Sequence, residues 1–285
     1  MGANFGLLVM GLLTVALAAA ADRPSHFDSL YGELLAKYRR PPAIVNGVRT
    51  VVFDFKSMSD DARMTNSLFA QIVRVFETTD VSRFKTPEDE KAFWINAYNF
   101  AAIKLVVENY PITSIRSRKV STFKYPWTKT AVTVQGRKLS LKDIEKDALL
   151  KKFKDARIVF AVNCATVSCP DLPAEPFTGS RLNMQLDTLI RDFLQNETKG
   201  FSLDRQSGVL RLSWIFDKDG DLIRRDLGAI EQVVHRYLDP ATCDWFDQHA
   251  KQVRVRHFDH DWTLNDTALA KHQPDLPGRN EGTRP

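Results

Sequence analysis

The chain has 285 residues, 44% hydrophobic and 26% charged, with 40 Lys+Arg against 35 Asp+Glu. These shares are those of an ordinary globular protein; they exclude wholesale disorder, a collagen-like rod and a multi-span membrane protein. A net charge of +5 favours anionic partners through long-range attraction, and a chain of this length builds a core without a disulfide scaffold.

Met1 to Ala21 carries no charged side chain, and the nearly continuous apolar run Phe5–Leu17 ends in Ala18-Ala19-Ala20-Ala21. This is the layout of a secretory signal peptide, with cleavage expected after Ala20 or Ala21. The lead Met1–Asn4 lacks Lys and Arg. Gly6, Gly11 and Thr14 dilute a run that falls short of the roughly 20 residues of a spanning helix. The expected organisation is a signal peptide over 1–21, one domain over 22–270 and a polar tail over 271–285. The mature protein is then exported, periplasmic or secreted, with no integral membrane span. Its expected partners are an anionic envelope component or a protein, not nucleic acid, and no cofactor is expected.

The mature chain opens with an apolar-spaced helix over Phe27–Tyr38, stopped by Pro41-Pro42. Asn46-Gly47 between β-branched runs predicts a tight hairpin, because both residues tolerate positive φ. Ser59 or Asp60 is expected to cap a helix through Val75-Phe76. Thr86-Pro87-Glu88-Asp89 is a stronger start signal, with a capping hydroxyl, proline in the first turn and carboxylates behind it. The helix it opens should run to about Asn109 and be central. Arg116–Thr130 reads as a long basic loop, Ala131–Leu139 as a hairpin around Gln135-Gly136, and Leu141–Phe153 as a capped helix. Arg157–Val162 has the length and apolarity of a buried strand, and Cys164–Pro176 is a proline-punctuated loop. A helix over Ser180–Leu194, a strand over Val209–Phe216, a helix over Leu227–Tyr237 and a last strand over Val253–Phe258 follow. Strands and helices mix without strict alternation, which points to a single mixed α+β domain with helices packed on a small sheet.

Chemistry concentrates where the Arg157–Val162 run delivers Cys164 and Cys169 into a loop. Three readings fit two cysteines five apart. A disulfide suits an exported protein, and would leave Cys243 as the odd thiol. A catalytic thiol needs a base or a helix amino end to lower its pKa; His257 and His260, near the last strand, are candidates that spacing cannot place. Metal binding needs further ligands, and no Cys or His cluster of zinc-site spacing accompanies the pair, so no metal site is assigned. Asn96 and Asn99 share one helix face, either lining a polar pocket or bonding a buried loop. Asp217-Lys218-Asp219-Gly220-Asp221 does not keep the spacing of an EF-hand and reads as an Asp-Gly turn. Asn196-Glu197-Thr198 and Asn265-Asp266-Thr267 are formal glycosylation acceptors.

Phe93-Trp94-Ile95-Asn96-Ala97-Tyr98-Asn99, then Tyr110-Pro111, Ser114-Ile115, Leu139-Ser140-Leu141 and Asp143-Ile144-Glu145 follow in order. Cys164-Ala165-x-x-Ser168-Cys169-Pro170 and Asp259-x-Asp261-Trp262-x-Leu264-Asn265 complete the series. Together they resemble the domain-of-unknown-function 547 family from about Phe27 to Asn265. The resemblance implies one domain with the cysteine loop as a shared feature, and no established reaction. Two departures stand out. Lys146 follows Ile144-Glu145 where many relatives carry His, and Asp217–Asp221 replaces a common Trp-Tyr pair. The first removes the nearest imidazole from a Cys-His dyad.

Two functions follow. In one, the chain is a cysteine-dependent hydrolase of acyl or peptide bonds: Cys164 is the nucleophile, Glu145 orients a base, Asn99 supports the oxyanion, and Asn96, Trp127 and Arg116 meet substrate. In the other, Cys164 and Cys169 form a structural disulfide, and the basic loop with Trp127 makes the chain a non-catalytic envelope binding module.

Overall fold

The computed structural model describes residues 26–270; the expected signal peptide and polar tail lie outside the described residues. Helix α1 (His26–Tyr38) leads into the hairpin β1 (Arg39–Val45) and β2 (Val48–Phe53). Its turn has φ of 49° at Asn46 and 84° at Gly47, the double positive φ that Asn-Gly favours. The helix expected from Ser59 is instead two. Asp54 caps α2 (Phe55–Ala62) and Ser67 caps α3 (Leu68–Thr78), each by accepting a backbone N–H. Ser59 lies inside α2, with its hydroxyl donating to the Val107 carbonyl.

Helix α4 (Pro87–Val107) starts where the sequence says, with Thr86 Oγ1 accepting the Asp89 N–H at 3.1 Å. It is buried on every face from Lys91 to Ile103, as expected of a helix at the centre of a domain. The hairpin β3 (Thr130–Val134) and β4 (Arg137–Ser140) turns at Gln135 and Gly136, both at positive φ. Next comes α5 (Asp143–Lys151), wound as a π-helix.

The segment expected as a buried strand is a 3-10 turn, Ala156–Phe160, started by Asp155 accepting the Arg157 N–H. A short, largely apolar run looks the same in either conformation, and here it packs against helices. Helix α6 (Leu182–Leu194) is followed by a three-stranded sheet in the order β5 (Phe201–Asp204), β6 (Val209–Leu212), β7 (Arg254–His257). β5 and β6 are antiparallel; β6 and β7 are parallel. The expected strand through Phe216 stops at Leu212, because Ser213 caps a short helix, α7 (Trp214–Lys218). Helices α8 (Gly220–Leu227), α9 (Ile230–Tyr237) and α10 (Pro240–His249) fill the span before β7. Asp217–Asp221 thus lies across the α7–α8 junction.

The chain is an α+β protein built as one mixed domain with small sheets. Its buried apolar residues form two main clusters. One surrounds α4 with α1, α2 and α3; the other joins Phe160, Phe193, Leu210, Ile215, Val234 and Phe246. Ala161 and Ala165 belong to the first cluster and Val159 to the second, so the cysteine segment runs along the seam. No helix among the described residues is long and apolar enough to cross a membrane.

Candidate functional site

Three polar side chains pin the cysteine loop from outside its own turn. Asn99, on α4, donates to the Ala161 carbonyl at 2.9 Å and accepts the Asn163 N–H at 2.8 Å. Asn163 donates to the Pro170 carbonyl and accepts the Ala165 N–H, both at 2.6 Å, joining the two ends of the loop. Lys199 donates to the Cys169 carbonyl at 2.9 Å and is itself held by Asp171 at 2.7 Å. Ala165 sits at φ 61°, a left-handed conformation that a non-glycine residue holds at some cost when its surroundings fix it.

The segment after β7 closes the other side. The Thr263 carbonyl accepts the Val167 N–H, the Ala165 carbonyl accepts the Asn265 N–H, and Ser168 Oγ accepts the Asp261 N–H. These bonds bring His260 against the loop. Its ring stacks on Trp262 with centroids 3.7 Å apart and meets Trp214 edge-on at 4.2 Å.

Cys164 Sγ and Cys169 Sγ are 2.9 Å apart, both buried, with no bond between them. A bonded pair would stand at about 2.03–2.05 Å, so the two are close enough to join and are not joined. Cys169 Sγ also has Thr166 Oγ1 at 3.2 Å and the Cys164 N–H at 3.4 Å. Burial pushes the Cys169 thiol up, but hydrogens donated by Cys164, Thr166 and the Cys164 main chain outweigh it, helped by the Lys199 charge. The Cys169 thiol is therefore held below its ordinary range. Cys164 moves the other way, raised by giving its hydrogen to Cys169 and then by burial. Thr166 Oγ1 is 3.0 Å from His260 Nε2, which links imidazole to sulfur through one hydroxyl. Burial pushes the His260 pKa down to about 3, against the pull of Asp261, so the ring is neutral near pH 7. His260 Nδ1 is buried without a hydrogen-bond partner.

Both cysteines open onto a cavity of about 280 Å³. Its walls are Tyr98, Tyr125, Trp127, Trp214 and Trp262, with Lys142, Lys146, Lys218, Glu145 and Asp219 as its charged groups. Glu145 is buried and pairs with Lys146 at 3.1 Å and Lys218 at 3.3 Å. Burial lowers the Lys218 pKa, but Glu145 and Asp219 raise it by more, so this ammonium stays charged.

Of the residues expected at the site, Cys164, Cys169, Glu145 and Trp127 come together around this cavity. Arg116 lies behind the wall, its guanidinium 4.9 Å over the Trp262 ring. The strand end that favoured Cys164 as the nucleophile is a 3-10 turn, and Cys169 Sγ is the sulfur nearer Thr166 Oγ1, at 3.2 Å against 3.5 Å. Among the described residues no imidazole is bonded to Glu145, which pairs with Lys146 and Lys218. Asn99 and Asn96 are braces outside the cavity lining. Both ends of the Asn99 amide are spent on main chain, and Asn96 donates to Asp28 and Phe177 and accepts the Phe177 N–H. Asn265 is buried, which withdraws that glycosylation acceptor from the surface.

Sequence reasoning left His260 unplaced and missed Thr166 and Lys199. His260 is 91 positions beyond Cys169, so no local spacing relates them. The only signal was the Asp259-x-Asp261-Trp262 block around it. Residues 81–194 match the family described as "Protein of unknown function, DUF547". The matched region contains α4 and both cysteines, but neither Lys199 nor His260. No curated protein and no solved structure is significantly similar to the chain.

Proposed function

We propose that this chain, which belongs to the DUF547 family through residues 81–194, is an exported cysteine-dependent hydrolase of acyl or peptide bonds. Its nucleophile is Cys169. One observation carries this reading: a buried sulfur that lines an aromatic cavity accepts the Cys164 N–H and has Cys164 Sγ at 2.9 Å and Thr166 Oγ1 at 3.2 Å, both able to donate to it. Stabilising a thiolate is what a nucleophilic cysteine needs. In the reaction, Cys169 Sγ attacks the carbonyl carbon and the carbonyl electron pair moves to oxygen. As that pair returns, the bond to the leaving group breaks, and the leaving group takes the Cys164 proton. Water then cleaves the thioester; its hydroxyl joins the acyl carbon, its proton returns to Cys164, and the Cys169 thiolate is restored. The cavity has room for one short acyl or aromatic group, and Lys218 supplies a fixed positive charge for the developing oxyanion.

The test is a panel of aromatic and short-chain acyl esters and peptides with the reduced protein. Turnover is expected, with loss in Cys169→Ser and a fall of roughly 100-fold or more in Cys164→Ala, the scale of a lost general acid. Turnover retained by a folded Cys169→Ser protein would overturn the assignment.

A second reading has its own observation. Phe123 is 90% exposed on the loop that carries Arg116, Arg118, Lys119, Lys124 and Lys129. An aromatic side chain among cations suits an anionic envelope polymer or an acidic protein face. In this reading Cys164 and Cys169 are oxidised to a structural disulfide. Binding lost on neutralising Arg116, Arg118 and Lys119, together with a pair that resists mild reductant, would favour it. Unchanged binding would count against it.

A further inference from the structure

We propose that Cys164, Cys169 and His260 form a binding site for a thiophilic divalent cation of the zinc class, its fourth position open to the aromatic cavity. The inference does not depend on the acyl-transfer reading. Two sulfurs and one imidazole nitrogen lie within 4.8 Å of one another. They come from two segments that meet only in the fold, through the main-chain bonds of Val167 and Asn265. That they face a common point is visible from Thr166 Oγ1. This one atom lies 3.5 Å from Cys164 Sγ, 3.2 Å from Cys169 Sγ and 3.0 Å from His260 Nε2. In addition, among the described residues the other imidazole nitrogen, Nδ1, is buried and unpartnered, a state that ordinarily costs free energy. A cation bound at Nδ1 would supply the partner that nitrogen lacks, and one bound at Nε2 would take the place of Thr166 there.

The donor chemistry selects the ion. Two thiolates and an imidazole suit zinc and its cobalt surrogate; calcium and magnesium want oxygens, and no carboxylate belongs to this trio. Three protein ligands and an open fourth place are the plan of a reactive zinc site, not of a closed structural one. Metal–sulfur bonds of about 2.3 Å at tetrahedral angles set the sulfurs roughly 3.7 Å apart. The present 2.9 Å must therefore open by about 0.8 Å, toward a cavity that both cysteines already line. Binding forms two metal–sulfur bonds and one metal–nitrogen bond and releases the thiol protons to solvent, two from a fully protonated pair. No electron is transferred. The bound ion and a free Cys169 nucleophile exclude one another, since they use the same sulfur.

The reduced full chain is titrated with Co²⁺ and then with Zn²⁺. One Co²⁺ per chain is expected, with sulfur-to-cobalt charge-transfer absorption and tetrahedral d–d bands, all displaced by Zn²⁺. Cys164→Ser, Cys169→Ser and His260→Gln should each weaken binding by about 100-fold or more, since outer partners alone account for 10–100-fold. Cys243→Ser should change nothing. In the unaltered chain, Zn²⁺ should protect Cys164 and Cys169 from alkylation and leave Cys243 unprotected, a result that holds even where a substitution impairs folding. Cobalt bound without charge-transfer bands, affinity indifferent to the three ligand substitutions, or alkylation unchanged by Zn²⁺ would each overturn the site. Hydrolysis by the metal-free protein reads the thiol proposal separately.

Discussion

Lys199 Nζ donates to the main-chain carbonyl of Cys169 across 2.9 Å. The lysine is 2% exposed and also meets Asp171 at 2.7 Å and Thr50 Oγ1 at 2.9 Å. Burial lowers its pKa and Asp171 offsets part of that; held by three oxygens, the side chain brings positive charge behind the cysteine loop. It ties the α6–β5 connection and strand β2 to the end of that loop.

Lys199→Met should therefore do two things. Removing one member of a buried pair leaves the other charge uncompensated, at about 3–5 kcal/mol. The low end applies, because the Asp171 side chain keeps 28% of its surface and also accepts from Thr50 and Val51. The alkylation profile of Cys169 should also move to higher pH, since a nearby positive charge favours thiolate. Denaturant unfolding reads the first effect and mapped alkylation the second. A Lys199→Met, Asp171→Asn double variant should lose less than the sum of the singles, as expected when two groups share one interaction. Equal midpoints for Lys199→Met and the parent would sink the argument.

Asn99 distinguishes a brace from a catalytic amide. Truncation to Ala strands the Ala161 carbonyl and the Asn163 N–H in the interior, each worth about 1–3 kcal/mol when unsatisfied. Asn99→Ala should thus lower stability by about 2–4 kcal/mol. Asn99→Ala should also make the cysteine loop more open to proteolysis, because its entry is no longer tied to α4. If the variant unfolds like the parent and loses only turnover, the amide acts on substrate instead.

The local signals in the sequence were reliable where a few neighbouring residues decide the conformation. Thr86-Pro87 fixed the start of α4, and Asn46-Gly47 and Gln135-Gly136 fixed two turns by their tolerance of positive φ. The apolar run Arg157–Val162 misled because its conformation is chosen by what packs on it, and α10 escaped notice for want of a strong apolar stripe. At the site, the two cysteines, Glu145 and Trp127 were legible as motif residues. What each does was not. Whether Asn99 meets substrate or main chain depends on Ala161 and Asn163 arriving at it, and His260 reaches the sulfurs only through pairing of the 260–266 segment with the loop. Lys199 reads in the sequence as one more surface cation; only the fold buries it.

Gly200 marks a place where two backbones nearly touch. A Cβ built there would stand 1.8 Å from the Phe193 carbonyl oxygen and 2.8 Å from its carbon. The Phe193 carbonyl belongs to the last turn of α6, so the clash is with rigid backbone and not with a side chain that can turn aside. Gly200→Ala should cost about 3 kcal/mol, the upper end for overpacking. Because Lys199 is the adjacent residue, the shift should also disturb its bond to Cys169. A thermal midpoint within about 1 °C of the parent would contradict the close approach, since a loss of this size should lower it by several degrees.

Asp155 sets an acid limit on stability. It caps the turn that carries the chain into the cysteine segment, and it pairs with Lys91 at 3.1 Å and Arg157 at 2.9 Å. Burial alone would raise its pKa, but the hydrogen bonds and charges of Arg157 and Lys91 outweigh burial and hold it below the usual carboxylate value. A carboxylate with a depressed folded pKa contributes stability that is fully present above the unfolded value of about 3.9, and is lost as pH falls through the folded one. The stability curve of the parent should therefore fall on the acid side of about pH 4. Asp155→Asn keeps the shape of the cap, removes the titrating group and leaves Lys91 short of a counter-charge. It should be less stable than the parent at pH 7, with a difference that narrows as the medium is acidified below pH 4. Urea unfolding of both proteins between about pH 2.5 and pH 7 measures this directly. A constant difference across that range would mean that Asp155 stabilises the turn through its shape and not through its charge.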